Sequence, residues 1–230
     1  KALSPLGITP DKIKLVMNDT AMAPNSGPSG GSRQQVMTGN AIKNGCDLLL
    51  AAMRKPNGSY RTYDEMVAEK IPLRYSGKWT ASMNTNCDLQ TSQGSPFAVY
   101  MYGLFMAEVA VNTKTGKTTV EEYTVIADIG KINNKLVVDG QIYGGVAQGI
   151  GLALSEDFEK LDKHTSLLAC GIPYAKDIPD KFDIHYVETP REHGPFGAAG
   201  VGEQPLTSSH VAGVNAIYDA TGVRIRHLPA

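Results

Sequence analysis

The segment His193-Gly-Pro-Phe-Gly-Ala-Ala-Gly-Val-Gly-Glu203-Gln-Pro-Leu206 ends a glycine-rich run on one carboxylate, and His193 is the only other titratable group in it. Glycines at 194, 197, 200 and 202 let the backbone turn tightly and come close to a ligand. A carboxylate on such a loop, among small apolar side chains, is expected to be poorly solvated. That is the setting in which a carboxyl group serves as a general base near neutral pH. The plainer alternative is a glycine turn with Glu203 in the first turn of a helix, since Pro205 and an apolar-periodic run follow.

Two other segments carry comparable chemistry. Ser26-Gly-Pro-Ser-Gly-Gly-Ser-Arg-Gln-Gln35 stands directly before a helical pattern. Backbone N–H groups clustered at a helix N-terminus, with Ser29, Gly30, Gly31, Ser32, Arg33 and Gln34, make an anion site. Neither a Walker A lysine nor the GxGxxG spacing is present. Asp128-Ile-Gly-Lys-Ile-Asn-Asn-Lys-Leu-Val-Val-Asp-Gly-Gln141 runs into a second helix. Asn133, Asn134 and Gln141, with Gln148 two helical turns beyond, offer neutral donors and acceptors suited to a polar heterocycle or an oxo ligand. Read without context, these two segments are equally well a serine-capped helix and an Asn turn at a strand exit.

The elements that must position these residues follow from periodicity. Lys12–Met17 alternates as a strand, and Arg33 to about Met53 has helical spacing. Residues 60–96 are mixed and polar, with one short helix from Tyr63 to Lys70. Tyr100–Val111 and Lys117–Ile126 form a hairpin around Asn112–Lys117. Asp139 to about Leu161 reads as a helix, although Gly144, Gly145, Gly149 and Gly151 each cost it roughly 1 kcal/mol relative to alanine. Something must approach that helix closely to compensate, either another backbone or a ligand. Phe182–Val187 is a strand, and Leu206 to about Ala220 a final helix. The class is α+β, with helices packed on largely antiparallel sheets.

Composition excludes several functions. The 230 residues carry 22 basic and 23 acidic groups for a net charge of −1, with no basic patch for nucleic acid. The longest apolar runs fall short of a membrane span. Cys46, Cys87 and Cys170 form no CxxC pair, and the five histidines lack metal-ligand spacing, so no zinc or iron–sulfur site is expected from these residues. Three reduced thiols imply a reducing, cytoplasmic setting. The chain opens on Lys-Ala-Leu and closes on Leu-Pro-Ala230, and both ends read as cut. The expectation is an internal fragment or excised domain, 1–230, of a longer polypeptide, with a possible internal boundary within 55–98.

Together the three segments resemble the molybdenum hydroxylases, the xanthine dehydrogenase and aldehyde oxidase family, and within it the FAD-free bacterial aldehyde oxidoreductases. The family's Gly-Glu-x-Pro-Leu, which holds its active-site glutamate, stands here as Gly202-Glu203-Gln-Pro-Leu206. Its Asp-x-Gly, Asn, Gly-Gln and Gly-x-x-x-Gln-Gly pattern appears as Asp128-Ile-Gly130, Asn134, Gly140-Gln141 and Gly144–Gly149. Ser29–Ser32 matches the loop around the pterin and the metal. Lys135 departs from the pattern, standing where many members have proline.

The resemblance implies molybdenum-dependent oxidation of a small aldehyde to the carboxylic acid by water-derived oxygen transfer. Glu203 would be the catalytic base. Molybdopterin cytosine dinucleotide would lie on Ser29–Gln34, Asn133, Asn134, Gln141 and Gln148, and no side chain would ligate the molybdenum, which the pterin holds near Gly31 and Glu203. Electrons would pass to two [2Fe–2S] clusters elsewhere in the polypeptide and on to an acceptor such as flavodoxin or ferredoxin. No FAD is expected, and the assembly would be a homodimer. The alternative is a non-catalytic module that binds a nucleotide or cofactor.

Overall fold

In β2, Thr118–Asp128, every second residue from Tyr123 to Ala127 is buried, and Ile129 continues the alternation beyond the strand. Val120 is buried too, out of phase with Tyr123. A bulge explains the change of parity: β1, Tyr102–Val111, pairs antiparallel with β2, and the register shifts by one residue between Glu108 and Val109. The hairpin turn is held by Asn112, whose backbone N–H donates to Lys117 O at 2.9 Å and whose side chain accepts from Lys114 N at 3.0 Å. β3, Lys181–Tyr186, pairs parallel with β2, so the sheet is mixed, in the order β1-β2-β3.

The computed structural model describes residues 1–230 except Leu15, Met17, Asn18, Met83 and Leu161. Two compact units emerge, one of Lys1–Ala98 with His193–Pro195, the other of Val99–Glu192 with Phe196–Ala230. The sheet belongs to the second unit, with α3, Lys135–Leu154, and α4, Gln204–Thr221. Ile142, Val146 and Ile150 recur four apart along α3 and close the core over the inner face of β2. Full burial of each such side chain contributes roughly 1.5–3 kcal/mol.

α3 starts four residues before the expected Asp139, because Asn134 caps it by accepting from Val137 N at 3.3 Å. Lys135 then pairs with Asp139 at 2.7 Å. The helix also ends early, at Leu154 rather than near Leu161, which is outside the described residues. Ser155 and Glu156 N–H groups both turn back to Gly151 O, and the Ser155 hydroxyl donates to Gly171 O at 2.6 Å.

The first unit is built on α1, Gln34–Met53, and the short α2, Tyr63–Ala68. A reciprocal capping box between Thr62 and Glu65 starts α2. The polar stretch beyond it crosses α1: a Cβ on Gly77 would fall 1.8 Å from Ala41 O, and Asn44 donates to Lys78 O at 2.6 Å. The strand expected over Lys12–Met17 is not formed by its described residues. Pro10–Lys12 is a 3-10 turn that proline starts well, and Ile13, Lys14 and Val16 pair with no strand. Leu15 and Met17 of that expectation lie outside the described residues.

Candidate functional site

The glycines of α3 divide by what they meet. A Cβ on Gly145 would lie 2.6 Å from Pro205 Cβ, and one on Gly149 only 1.8 Å from Ser209 Oγ. These two positions let α4 pack backbone-close on α3. Gly151 receives Glu156 and Pro173 of the returning chain. Gly140 and Gly144 face open space, with nothing within 4 Å of an added Cβ.

α4 is fixed from the sheet side as well. Tyr123, 1% exposed and stacked on Phe182, donates its phenol to Ser209 O at 2.9 Å. Burial pushes that phenol well above its ordinary range, so it stays a donor. Removing the donor with Tyr123→Phe is expected to cost about 0.5–1.5 kcal/mol, read as a lower denaturation midpoint at unchanged slope.

This docking places Glu203 at the N-cap of α4, where its carbonyl accepts from Leu206 N at 3.0 Å. The side chain is exposed, which corrects the expectation of a poorly solvated carboxylate. The small residues before it turn inward instead: Ala198, Ala199 and Gly200 are buried, leaving the glutamate at the outer end of the run.

A polar knot holds that run in place. The Asp128 carboxylate accepts from Gly130 N and Thr189 N, each at 3.2 Å, and pairs with Arg191 at 3.0 Å. Arg191 also donates to Tyr100 O, Thr189 O and Asp128 O. Gly197, at φ 81, offers its carbonyl to Lys131 N at 2.8 Å and Arg191 N at 3.0 Å. Gly130 must be glycine here, since its φ is 71 and a Cβ would fall 2.3 Å from Gly197 O.

Burial raises the Asp128 carboxyl, but the bonds from Thr189, Gly130 and Arg191 outweigh it and hold the group below its ordinary 3.8. A carboxyl depressed in the folded state stabilises above its unfolded pKa and loses that contribution as pH falls through the folded value. The Gly130 and Thr189 amides are therefore expected to keep hydrogen-exchange protection at neutral pH and to lose it only as pH falls below the ordinary carboxylate range. Asp128→Ala should remove the protection already at neutral pH.

The remaining candidates are placed as follows. In the first unit Gly30 and Gly31 have nothing within 4 Å of an added Cβ, and Gly31 and Ser32 take φ of 61 and 56. Ser29 is exposed, and no side chain caps α1. Arg33 donates to Ser26 O and Pro28 O, each at 2.9 Å, so it closes the loop on itself. Gln34 reaches Gly27 O at 3.5 Å and accepts from Thr38. In the second unit Asn133 is exposed and Asn134 is spent on capping α3. Gln141 and Gln148 are both exposed, seven residues apart on one face of α3, beside Gly140 and Gly144.

Among the described residues no group of histidines, cysteines and carboxylates can hold a metal, and the three cysteines are free thiols. No described helix is long and apolar enough to cross a membrane. Sequence reasoning missed Arg191 and Gln204. Arg191 leaves no local signal, because its partners lie up to 91 residues away. Gln204 was read only as the variable position of a motif, yet it is 6% exposed with both amide atoms unpartnered among the described residues.

In the first unit Gly30 and Gly31, before the uncapped start of α1, leave room where a Cβ would stand. Comparison with known proteins shows the family. A family profile described as a molybdopterin cofactor-binding domain matches residues 2–179. The chain belongs to this molybdopterin cofactor-binding family, within the molybdenum hydroxylases. The aldehyde oxidoreductase of Megalodesulfovibrio gigas is 61% identical over 230 residues, all of this chain and 25% of the relative. The solved aldehyde oxidoreductase from Desulfovibrio gigas superposes with a TM-score of 0.96 at 61% identity, over 99% of this chain and 25% of that one. The enzyme from Desulfovibrio desulfuricans gives 0.94 at 64% identity, over the same shares. The chain thus spans about a quarter of the length of these relatives.

Proposed function

We propose that this chain is the part of an aldehyde oxidoreductase that holds the molybdenum cofactor and supplies the catalytic base, in the reaction RCHO + H2O → RCOOH + 2H⁺ + 2e⁻. The cofactor, when bound, supplies the two-electron oxidation of the carbonyl carbon. Of the first unit, Gly30 and Gly31 would hold the cofactor through the backbone, and Ser29, Ser32 and Gln34 through their side chains. Arg33 keeps that loop closed. Of the second unit, Gln141, Gln148 and Asn133 would offer hydrogen bonds to the cofactor, while Asn134 caps α3. Glu203 accepts the proton at its carboxylate as water-derived oxygen is transferred.

The observation that carries this reading is the docking of α4 on α3, which holds Glu203 at an outward-facing helix start in a chain alike throughout its length to aldehyde oxidoreductases. The finer parts rest on the same likeness: cytosine dinucleotide as the cofactor's nucleotide, two [2Fe–2S] clusters elsewhere in the polypeptide, no FAD, and a cytoplasmic homodimer passing electrons to flavodoxin or ferredoxin.

Two measurements test this. Full-length protein from cells grown on molybdate should reduce an artificial acceptor dye with an aldehyde, and protein from tungstate-grown cells should not. Equal turnover from both would overturn the reading. In the same enzyme Gly31→Val should lower molybdenum occupancy far more than Gly58→Val, because both sites have positive φ and open space but only Gly31 lies in the cofactor loop. Equal effects would return that loop to a purely structural role.

A further inference from the structure

Gln204 is the least comfortable polar side chain among the described residues. It is 94% buried at the first position of α4, and neither its amide nitrogen nor its amide oxygen has a partner among the described residues. The amide lies against β1, where a Cβ on Gly103 would fall 1.9 Å from Nε2 and 3.2 Å from Cδ. β1 is an edge strand, so alternate backbone N–H and C=O groups along it point away from β2. Apolar side chains of similar size would fill the same space without leaving a donor and an acceptor unmet. A chain that keeps an amide there has a use for its polarity.

We propose that Gln204 is the positioning residue for Glu203: its buried amide binds one water molecule that bridges the first turn of α4 to the backbone of β1 near Gly103. A water can accept from Nε2, donate one O–H to Oε1 and the other to a strand carbonyl, which gives both amide atoms a partner and ties them to β1. The side chain directly after the base is then tied to the sheet, and the carboxylate is held in one place while it takes its proton. Gly103 is part of the device, because a Cβ there would displace the amide.

The inference rests on Glu203 being the base, and the experiment separates the two. Full-length holoenzyme would be prepared as wild type, Glu203→Gln, Gln204→Leu, Gln204→Met and Gln204→Glu. For Gln204→Leu the expected result is wild-type molybdenum content and a melting temperature unchanged or a few degrees higher. Its kcat should fall about tenfold or more with KM within about twofold, and the pH limb of kcat should move. Gln204→Glu, which replaces the Nε2 donor with an acceptor and buries a charge, should not recover kcat. A crystal structure of the wild type should show a water within hydrogen-bonding distance of the amide. The proposal is overturned if Gln204→Leu keeps the wild-type kcat and pH limb, or if no water lies within reach of that amide. Should Gln204→Leu fail to accumulate, Gln204→Met and the wild-type water decide by the same criteria. Near wild-type turnover in Glu203→Gln would instead fail the assignment of the base. Loss there with wild-type behaviour in Gln204→Leu fails only the role of Gln204.

Discussion

Glu203→Gln in the full-length holoenzyme is expected to lose about 10²–10⁴-fold in aldehyde turnover, the range for removing a positioned base. The substitution keeps the side chain's length and hydrogen-bonding capacity but cannot take up a proton. Glu203 is exposed at the N-cap, and its side chain does not cap α4. Melting temperature and molybdenum content should therefore stay near wild type while kcat collapses. A parallel loss of molybdenum would point to a cofactor-holding role instead. Near wild-type kcat would remove Glu203 from the mechanism.

Gly149→Ala is expected to be the most damaging small substitution in α3. Elsewhere in a helix the exchange would stabilise by up to about 1 kcal/mol. Here the new methyl would stand 1.8 Å from Ser209 Oγ and 3.1 Å from His210 N, so α4 must shift. Overpacking of this kind costs roughly 1–3 kcal/mol. Because α4 carries Glu203, the same shift should lower kcat in whatever protein still folds. Gly145→Ala should behave alike, through Pro205. A melting temperature and kcat both at wild-type values for Gly149→Ala would mean that α3 and α4 are not packed as described.

The glycine-rich helix shows how far the sequence could be read and where it stopped. Four glycines in three turns demanded a close neighbour, and the neighbour is α4 for two of them. Periodicity could not say which glycines face the helix and which face outward, since that depends on where α4 crosses. The hairpin was readable to within two residues because its alternation and its Asn–Gly turn are local signals. The one-residue slip at Glu108 was not, because a bulge is a property of two strands together. The start of α3 was missed through the capping role of Asn134, which competed with its reading as a cofactor residue.

Among the candidate residues, local patterning was again the legible part. The glycine loop before α1, the paired Gln141 and Gln148, and Glu203 at a helix start all follow from spacing. The solvation of Glu203 did not, because burial of the run before it depends on the Asp128–Arg191 knot, whose members are 63 residues apart. Arg33 shows the same limit: a basic residue in an anion-type loop turned out to hold the loop's own carbonyls.

The most direct test of the central claim is cofactor analysis of the purified full-length protein. Acid hydrolysis should release cytidine monophosphate in proportion to molybdenum, both approaching one per chain, and Gly31→Val should lower the two together. Protein that is folded and carries neither molybdenum nor a cytidine nucleotide would contradict the account.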